Sequence, residues 1–324
     1  MRATALPGSL RAAMAESVKR GVGYLEATVG ADGAWPGRRY GNLELAGAGV
    51  KEQPPFIAAL GVLALGEVPG VEALVSRTRR GLFACMEYPG VWRYWRTLPA
   101  DNDDTAVCSL AVGAHPLILL GRNIERMIGS RDDDGRFPTW LVPRDAANWF
   151  RNDVDAVVNA NVLAYLGDRP ETRGAQYWVE ELIERGDPGA ALVHYADELD
   201  LYAAAARASE LGRPVLARVA PLLAERIKAR LGARLDGGNE LRTAQALAAL
   251  AVLNANVDLQ EAKRALARLV DTQRADGGWG ECLAWKDERT PAQPVGFGSE
   301  ALTAAVCIEA LVRWSAARRL AARD

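Results

Sequence analysis

Two kinds of helical segment alternate along this chain, and this alternation limits the possible folds more than any other feature of the sequence. The third, fifth, ninth and eleventh segments have one apolar and one charged face, as expected of helices that border water. The even-numbered segments are apolar nearly all round, as in PFIAALGVLALG and ALTAAVCIEAL, which indicates protein on every side. The apolar spacing predicts twelve helices, near residues 9–28, 53–67, 70–87, 103–115, 117–130, 153–166, 171–185, 197–211, 213–232, 239–254, 257–273 and 298–317.

Hairpins of one exposed and one buried helix predict an all-α fold. Six such hairpins arrange as an (α/α)6 toroid, with six parallel inner helices inside six outer helices, in a single domain over residues 1–324. The inner helices are rich in Ala and Gly, which lets six helices approach one axis. Clear runs of alternating β-branched residues are not found, so strands are not expected. A two-layer solenoid of hairpins is the alternative packing.

Composition excludes several classes of protein. Hydrophobic residues make up 49% of the chain and charged residues 25%, and the net charge is −2, which argues against disorder and against a nucleic-acid partner. No run reaches the ~18 apolar residues of a membrane-spanning helix, and the N-terminus lacks the apolar core of a signal peptide. The chain is therefore interpreted as cytoplasmic. The four cysteines are far apart and are expected to be reduced.

Four of the odd-numbered helices share an ending, in which a glycine turn is followed by an aromatic residue. The aromatic positions are Trp35, Trp92, Phe137 and Trp279. A glycine supplies the positive φ that ends a helix, and the aromatic side chain can then fold back between neighbouring hairpins. For Trp35 and Trp279 this predicts a structural role.

The segment DNDDTA, at residues 101–106, places three aspartates at the start of a buried helix. One acidic residue is enough to cap a helix, and extra carboxylates would repel one another. Like charges a few Å apart cannot all ionise, and burial raises the pKa further, so one carboxyl can stay protonated at neutral pH. Such a carboxyl is a candidate acid for protonating a carbon–carbon double bond.

Two motifs resemble a known family. QRADGGW, at residues 273–279, is similar to the Gln/Trp repeat of the terpenoid cyclase and prenyltransferase superfamily, and DNDDTA resembles the D-x-D-D-T-A signature of class II terpene cyclases such as squalene-hopene cyclase. The resemblance implies an enzyme that protonates an alkene of a linear isoprenoid and guides carbocation cyclisation. It assigns the proton donor to Asp103, with Asp101 and Asp104 in support.

The same resemblance bears on size and cofactors. Class II members usually have two toroids, whereas this chain has enough helices for one. The resemblance therefore implies a smaller substrate, or a homodimer or partner subunit that completes the cavity. No cofactor is required by such a reaction, and Mg²⁺ is expected only if the substrate carries a diphosphate. Arginines in the rim loops could hold that group, namely Arg93, Arg96, Arg144 and Arg151.

Further candidates for the site come from helix periodicity and from the aromatic loops. Asp155 and Asn159 are four residues apart on the next inner helix, and Asn159 either holds the second oxygen of the acid or is a core amide bonded to backbone. Aromatic faces stabilise a carbocation through their quadrupole. The candidates for this wall of the cavity are Trp92, Trp95, Trp140, Trp149, Tyr202 and Phe297.

Three other functions are compatible with parts of this sequence pattern. A zinc site is disfavoured because His115 and His194 are not spaced as ligands with Cys282. An inverting glycoside hydrolase on an (α/α)6 barrel needs two separated carboxyls, such as Asp103 with Asp155 or Glu300. A non-catalytic lipid-binding or scaffold toroid is the third. An apolar pocket that ends on Asp103 would favour the cyclase. A polar groove would favour the hydrolase, and a ring filled by side chains would favour the scaffold.

Overall fold

The computed structural model describes residues 6–113, 118, 122–142, 152–210, 216–234, 239–288 and 293–320. Within these ranges lie twelve α-helices and four β-strands. The helices are α1 Gly8–Thr28, α2 Pro55–Leu65, α3 Glu72–Ala84, α4 Asn102–Val112, α5 Asn123–Gly129, α6 Ala156–Leu166, α7 Arg173–Arg185, α8 Glu198–Glu210, α9 Ala220–Arg234, α10 Glu240–Val252, α11 Leu259–Asp271 and α12 Glu300–Leu320. The strands are β1 Gly37–Tyr40, β2 Val50–Glu52, β3 Leu283–Asp287 and β4 Val295–Gly298.

Six of these helices form a closed inner ring. α2 packs against α4, α4 against α6, α6 against α8, α8 against α10, α10 against α12, and α12 returns to α2. α1, α3, α7, α9 and α11 pack on the outside of this ring. Inner helices such as α6 are buried along nearly their whole length, as their apolar sequences predict. The predicted toroid of inner and outer helices is therefore what the chain forms, and the assignment of all of residues 1–324 to one domain stays a prediction.

The inner helices run parallel, so their N-terminal ends meet at one mouth of the ring. Phe56 at the start of α2, Asp103 in the first turn of α4 and Val158 in the first turn of α6 line one cavity there. The C-terminal ends of α2, α8 and α10 border a different cavity, towards the opposite mouth. Among the described helices, none is both long enough and apolar enough to cross a bilayer.

The aromatic endings of the outer helices are packed as structural plugs. In three of them the indole nitrogen donates to the backbone carbonyl ten residues earlier: Trp35 to Leu25 at 3.0 Å, Trp92 to Leu82 at 2.8 Å and Trp279 to Leu269 at 2.7 Å. Phe137 is equally buried in the fourth ending. The prediction that Trp92 binds substrate is wrong, because its side chain is fully buried against an outer helix.

The glycine of this ending is required by the backbone. Gly277 has a φ of +89°, and a Cβ atom at this position would lie 2.4 Å from the carbonyl oxygen of Arg20. Gln273, at the start of the QRADGGW segment, bonds to Ser17 of α1 through both its amide nitrogen and its amide oxygen, at 2.9 Å each. The repeat therefore fastens α11 to the first helix of the chain.

We expect Trp279→Phe to destabilise the protein by about 1–3 kcal/mol, because it removes a buried hydrogen bond and leaves a small cavity. Urea unfolding of the purified variant measures this loss. Trp178→Phe is the matched control, since Trp178 is half-buried on α7 and stacks on Arg136 near the surface. A Trp279→Phe protein as stable as the control would contradict the structural role.

A small antiparallel sheet, which the sequence pattern did not predict, lies beside the mouth where the inner helices begin. Its strand order is β2-β1-β4-β3, and Arg39 of β1 is paired with Phe297 of β4. The strands GRRY, VKE and VGFG are too short and too rich in glycine or charge to show a period of two. The sheet brings the segment before α12 next to the segment before α2, and with it the side chains of Trp285 and Phe297.

Candidate active site

The three aspartates of the DNDDTA segment are all buried at the N-terminal end of α4. Asp101 caps the helix, and its Oδ1 accepts a hydrogen bond from the backbone N–H of Asp104 at 2.6 Å. The exposed fractions of Asp101, Asp103 and Asp104 are 3%, 7% and 3%. Helix capping explains why Asp101 is present, but the helix end does not require the buried carboxyls of Asp103 and Asp104.

Asp103 is held by two hydrogen-bond donors from other elements. Its Oδ1 accepts from Nδ2 of Asn161 on α6 at 2.8 Å, and its Oδ2 accepts from the hydroxyl of Tyr195, in the segment before α8. The pKa of Asp103 is raised to about 7: burial is the largest cause, the neighbouring Asp101 carboxyl adds to the rise, and the two donors oppose it. A large fraction of molecules therefore carries a proton on Asp103 at neutral pH.

Asp101 and Asp104 form a second carboxyl pair beside this acid. Burial raises the pKa of Asp101 well above its usual value, and the negative charge of Asp104 adds to the effect. The two carboxyl side chains interact through a hydrogen bond, so they titrate as a pair that shares a proton. The like-charge argument drawn from the sequence is consistent with this arrangement.

Asp155 anchors the segment that carries Tyr195. Its Oδ1 caps α6 by accepting from the backbone N–H of Val157 at 2.7 Å, and its Oδ2 accepts from the N–H groups of Val193 and His194 at 2.7 and 2.8 Å. Burial raises its pKa to about 6, against these backbone donors. The prediction that Asp155 contacts substrate is wrong, because it is fully buried and both oxygens are bonded to backbone.

The contact predicted for Asn159 is made by Asn161. The amide of Asn159 accepts from the N–H of Phe137 at 2.8 Å and donates to the carbonyls of Phe137 and Asp155 at 2.9 and 2.8 Å. Asn159 is thus a core amide bonded to backbone, which is the alternative left open by the sequence. Asn161 lies two residues further along α6, and its side chain points towards the axis of the ring and reaches Asp103.

A cavity of about 90 Å³ opens directly onto Asp103 and has aromatic walls. Tyr94 lines this cavity, with its ring 5.9 Å from that of Trp285 and 5.7 Å from that of Phe297, edge to face. Its hydroxyl accepts a hydrogen bond from the Trp285 indole at 2.9 Å. We call this cavity the acid pocket. Its aromatic lining residues are Phe56, Tyr94, Trp95, Trp140, Tyr195, Trp285 and Phe297.

Three of the aromatic residues predicted for the site line the acid pocket: Trp95, Trp140 and Phe297. The indole of Trp95 donates to Glu52 at 3.1 Å, Glu52 is paired with Arg39 at 2.7 Å, and the Arg39 guanidinium lies 5.6 Å from the Trp95 ring. The ring of Trp140 lies 6.2 Å from that of His194, edge to face. These contacts fix the orientation of the walls.

Tyr202 does not line the acid pocket. The Tyr202 hydroxyl bonds to Glu198 at 3.4 Å, its side chain is buried, and its nearest cations are Arg226 and Arg230 of the outer helix α9. Tyr202 therefore faces outward, and its predicted place in the cavity is wrong. Trp149 lies outside the described residues, as do Arg144, Arg151 and His115.

Comparison with known proteins gives similarity in fold at low sequence identity. Neither a family model nor a curated protein matches the chain. The type II terpene cyclase MstE from Scytonema, in complex with its substrate geranylgeranyl dihydroxybenzoate, matches with a TM-score of 0.69 and 18% identity, over 95% of this chain and 99% of that chain. The chain has the fold of a type II terpene cyclase.

Two further solved structures agree with this result. MstE in complex with its product, merosterolic acid A, matches with a TM-score of 0.72 and 18% identity, over 96% of this chain and all of that chain. A protein from Actinoplanes matches with a TM-score of 0.69 and 20% identity, over 93% of this chain and 99% of that chain. The family resemblance and the toroid inferred from the sequence are confirmed at the level of the fold.

The contacts of the candidate carboxyls leave little support for the hydrolase alternative. Of the proposed second carboxyls, Asp155 is bonded to backbone through both oxygens, and Glu300 is paired with Arg274 at 2.7 Å and accepts from Tyr24 at 2.8 Å. The pocket is aromatic and narrow rather than a polar groove. Among the residues that the structure describes, no group of three or more His, Cys, Asp or Glu side chains is arranged to hold a metal ion.

The sequence did not single out three residues that line the acid pocket, Phe56, Tyr195 and Trp285, nor the partner of the acid, Asn161. Phe56 lies in a helix predicted to be buried all round, where every position is apolar and none is singled out. Tyr195 and Trp285 lie outside the helices, in segments without a period. Only Asn161 carried a signal, as a second asparagine in an otherwise apolar inner helix.

We expect Tyr195→Phe to move the pH dependence of activity. The hydroxyl bonds to the charged form of Asp103 and lowers its pKa, and a bond to a charged group is worth about 1.5–3 kcal/mol. Its loss raises the pKa by roughly one to two units and makes Asp103 a weaker acid. The rate at low pH then falls, and the alkaline limb of the pH–rate profile moves to higher pH.

Tyr165→Phe provides the control for this variant. The Tyr165 hydroxyl donates to Asn123 at 3.0 Å and does not reach Asp103. Its pH–rate profile should match that of the wild type. If Tyr195→Phe leaves the profile in place as well, then Tyr195 does not tune the acid.

Proposed function

We propose that this chain is a class II terpene cyclase. In this proposal Asp103 protonates an alkene of a linear isoprenoid, and the acid pocket guides cyclisation of the carbocation. The observation that carries the proposal is a buried carboxyl with a pKa of about 7 that opens onto an aromatic cavity. Protonation of an alkene needs such an acid in a water-poor site, and the resulting cation needs walls that stabilise it without reacting.

The reaction transfers one proton to the substrate and returns one proton from it. Asp103 gives its proton to one carbon of the double bond, and the other carbon becomes a tertiary cation. An internal double bond then supplies its electron pair to close a ring, and loss of a proton from carbon ends the reaction. The product is therefore an isomer of the substrate.

The neighbours of Asp103 stabilise the carboxylate that forms. Asn161 donates a hydrogen bond to Oδ1 of Asp103, and Tyr195 donates one to Oδ2. Both bonds strengthen as negative charge develops on the carboxylate. Asp155 acts as a positioning residue, because it holds the segment that presents Tyr195. Asp101 and Asp104 share a proton beside the acid and discourage early loss of its own proton.

The substrate class is proposed as a linear isoprenoid. Geranylgeranyl dihydroxybenzoate, the named substrate of MstE, supports a prenyl chain as the reacting part. The match spans nearly the whole of the MstE chains, which supports a site built by one toroid. Completion of the cavity by a second copy or by a partner subunit stays a prediction, as does the cytoplasmic location.

We further propose that protonation needs no cofactor, with Mg²⁺ required only if the head group is a diphosphate. Among the arginines predicted to hold such a group, Arg93 is bonded to Glu87 and to the carbonyl of Leu98. It is thus already engaged within the protein. The contacts of Arg93 therefore do not identify the head group of the substrate, which the substrate screen below identifies.

The test is a screen of linear isoprenoids with the purified protein. Geranyl, farnesyl, geranylgeranyl and squalene-type substrates are incubated with and without Mg²⁺, as free alcohols, diphosphates and aromatic ethers. Mass spectrometry then detects products of unchanged mass but altered retention time. Conversion of at least one substrate to a cyclic isomer is the expected result, and its absence across all classes contradicts the proposal.

A further inference from the structure

A second and larger cavity follows the axis of the ring below the acid pocket. Its volume is about 400 Å³, and we call it the lumen. Its walls are mostly apolar side chains of the inner helices, such as Leu60, Leu63, Leu241, Leu302 and Val306. Charged side chains, including Glu210 and Arg313, border the mouth at the other end. Asn161, Asp200 and Gln245 also line the lumen, and each of them makes a hydrogen bond within the protein. The remaining, mostly apolar wall fits a hydrocarbon chain.

The lumen and the acid pocket are separated by two aromatic residues. Among the described lining residues, only Tyr195 and Trp285 border both cavities. Tyr195 is committed to Asp103 through its hydroxyl. Trp285 has no bond to the acid, and its ring closes the acid pocket against Phe56, at 5.5 Å, and against Tyr94.

The position of Trp285 is fixed by backbone contacts on both sides. The buried guanidinium of Arg242 on α10, which is paired with Asp200, donates to the carbonyl of Leu283 at 2.8 Å. On the other side the N–H of Lys286 donates to the carbonyl of His194 at 2.7 Å. The partition is therefore a rigid part of the fold and not a mobile side chain on a loop.

Resting on the proposed cyclase function, we infer that Trp285 determines the length of isoprenoid that this chain accepts. The terminal double bond must reach Asp103, so the rest of the chain has to fit between the acid and the indole or leave by the open side. A smaller side chain at position 285 joins the two cavities and lets a longer chain continue into the lumen. Each additional buried methylene then strengthens binding by about fourfold.

The test measures binding of saturated linear isoprenoid alcohols, which cannot be protonated, by calorimetry. The probes have ten and twenty carbons. Trp285→Ala is expected to bind the longer alcohol about tenfold or more tightly than the wild type does, with little change for the shorter one. Trp285→Phe keeps an aromatic wall and should give a smaller gain in affinity for the longer alcohol. This variant replaces Trp285→Ala in the test if the alanine variant does not fold.

Filling the lumen provides the matched control. Ala248 of α10 lines the lumen and does not line the acid pocket. Ala248→Phe alone should leave binding of the shorter alcohol unchanged, and in the Trp285→Ala background it should cancel the gain for the longer one. Such a cancellation shows that the gain comes from the lumen.

The outcomes separate this inference from the proposed function. If Trp285→Ala leaves the preference for length unchanged, or if Ala248→Phe alone weakens binding of the longer alcohol, then Trp285 is not the partition. Failure of either alcohol to bind any variant overturns the inference as well. The expected binding pattern without any cyclisation of the unsaturated substrates would support the inference and contradict the cyclase function.

Discussion

Asp103→Asn should abolish cyclisation of every accepted isoprenoid, with a loss of at least about a thousandfold. The amide cannot deliver a proton to an alkene, and Asp101 and Asp104 are occupied with each other. The fold should persist, because the amide oxygen can still accept from Asn161 and the amide nitrogen can donate to the hydroxyl of Tyr195. Product formation by mass spectrometry gives the rate, and circular dichroism verifies the helical content.

Asp258→Asn is the matched control for this loss. Asp258 caps α11 on the outside of the ring, where it accepts from the N–H of Gln260 at 2.8 Å and of Glu261 at 3.0 Å. Asparagine caps a helix about as well as aspartate, so full activity is expected. Cyclisation by Asp103→Asn at the rate of this control would show that another group is the acid.

The second large effect is on stability, where Asp103→Asn should be more stable than the wild type above pH 7. Burial raises the pKa of Asp103 to about 7, whereas a free aspartate has a pKa of about 3.9. The free energy of unfolding of the wild type therefore falls as pH rises from about 4 to about 7, and this contribution stays constant above that range. At about 1.36 kcal/mol per unit, the asparagine variant gains about 4 kcal/mol at pH 8.

Urea unfolding at pH 4.5 and pH 8 measures this gain. The two proteins should be nearly equal in stability at the lower pH, where both side chains are uncharged, and should differ at the higher one. Asp258→Asn should show no such difference. Equal stability of wild type and Asp103→Asn at pH 8 would mean that the buried carboxyl ionises at no cost, which contradicts a raised pKa and a proton held on Asp103 near neutral pH.

The sequence predicted the ring and the cluster of buried aspartates at its mouth because both depend on local patterns. A helix with protein on every side differs in composition from one that borders water, so the alternation alone distinguishes inner from outer helices. Asn159 and Asn161 show where local patterns end. Both lie in the same apolar helix, and two residues along a helix turn the side chain by about 200°. Which of them faces the axis depends on the rotation of α6, and its all-round apolar sequence does not encode that rotation.

Tyr195 and Trp285 could not be found in the same way. They reach the pocket through contacts between segments that are distant in sequence: the anchor of Asp155 on residues 193–194, and the pairing of β3 with β4. Neither contact produces a periodic pattern of apolar residues in the sequence. Trp92 presents the opposite case, since it was predicted to bind substrate although it has the same place in the repeat as Trp35 and Trp279, for which a structural role was predicted. Membership of the repeat was the better guide there than nearness to the DNDDTA segment.

The return of α12 to α2 has a consequence for how this protein unfolds. In a linear stack of hairpins the end unit touches a single neighbour, so units can be lost from the ends one at a time. Here each inner helix is flanked by two others, and removal of any hairpin exposes apolar surface on both flanking helices. Loss of α12 at the C-terminal end therefore breaks the circle as severely as loss of an inner helix in the middle, and we expect the chain to melt as one cooperative unit.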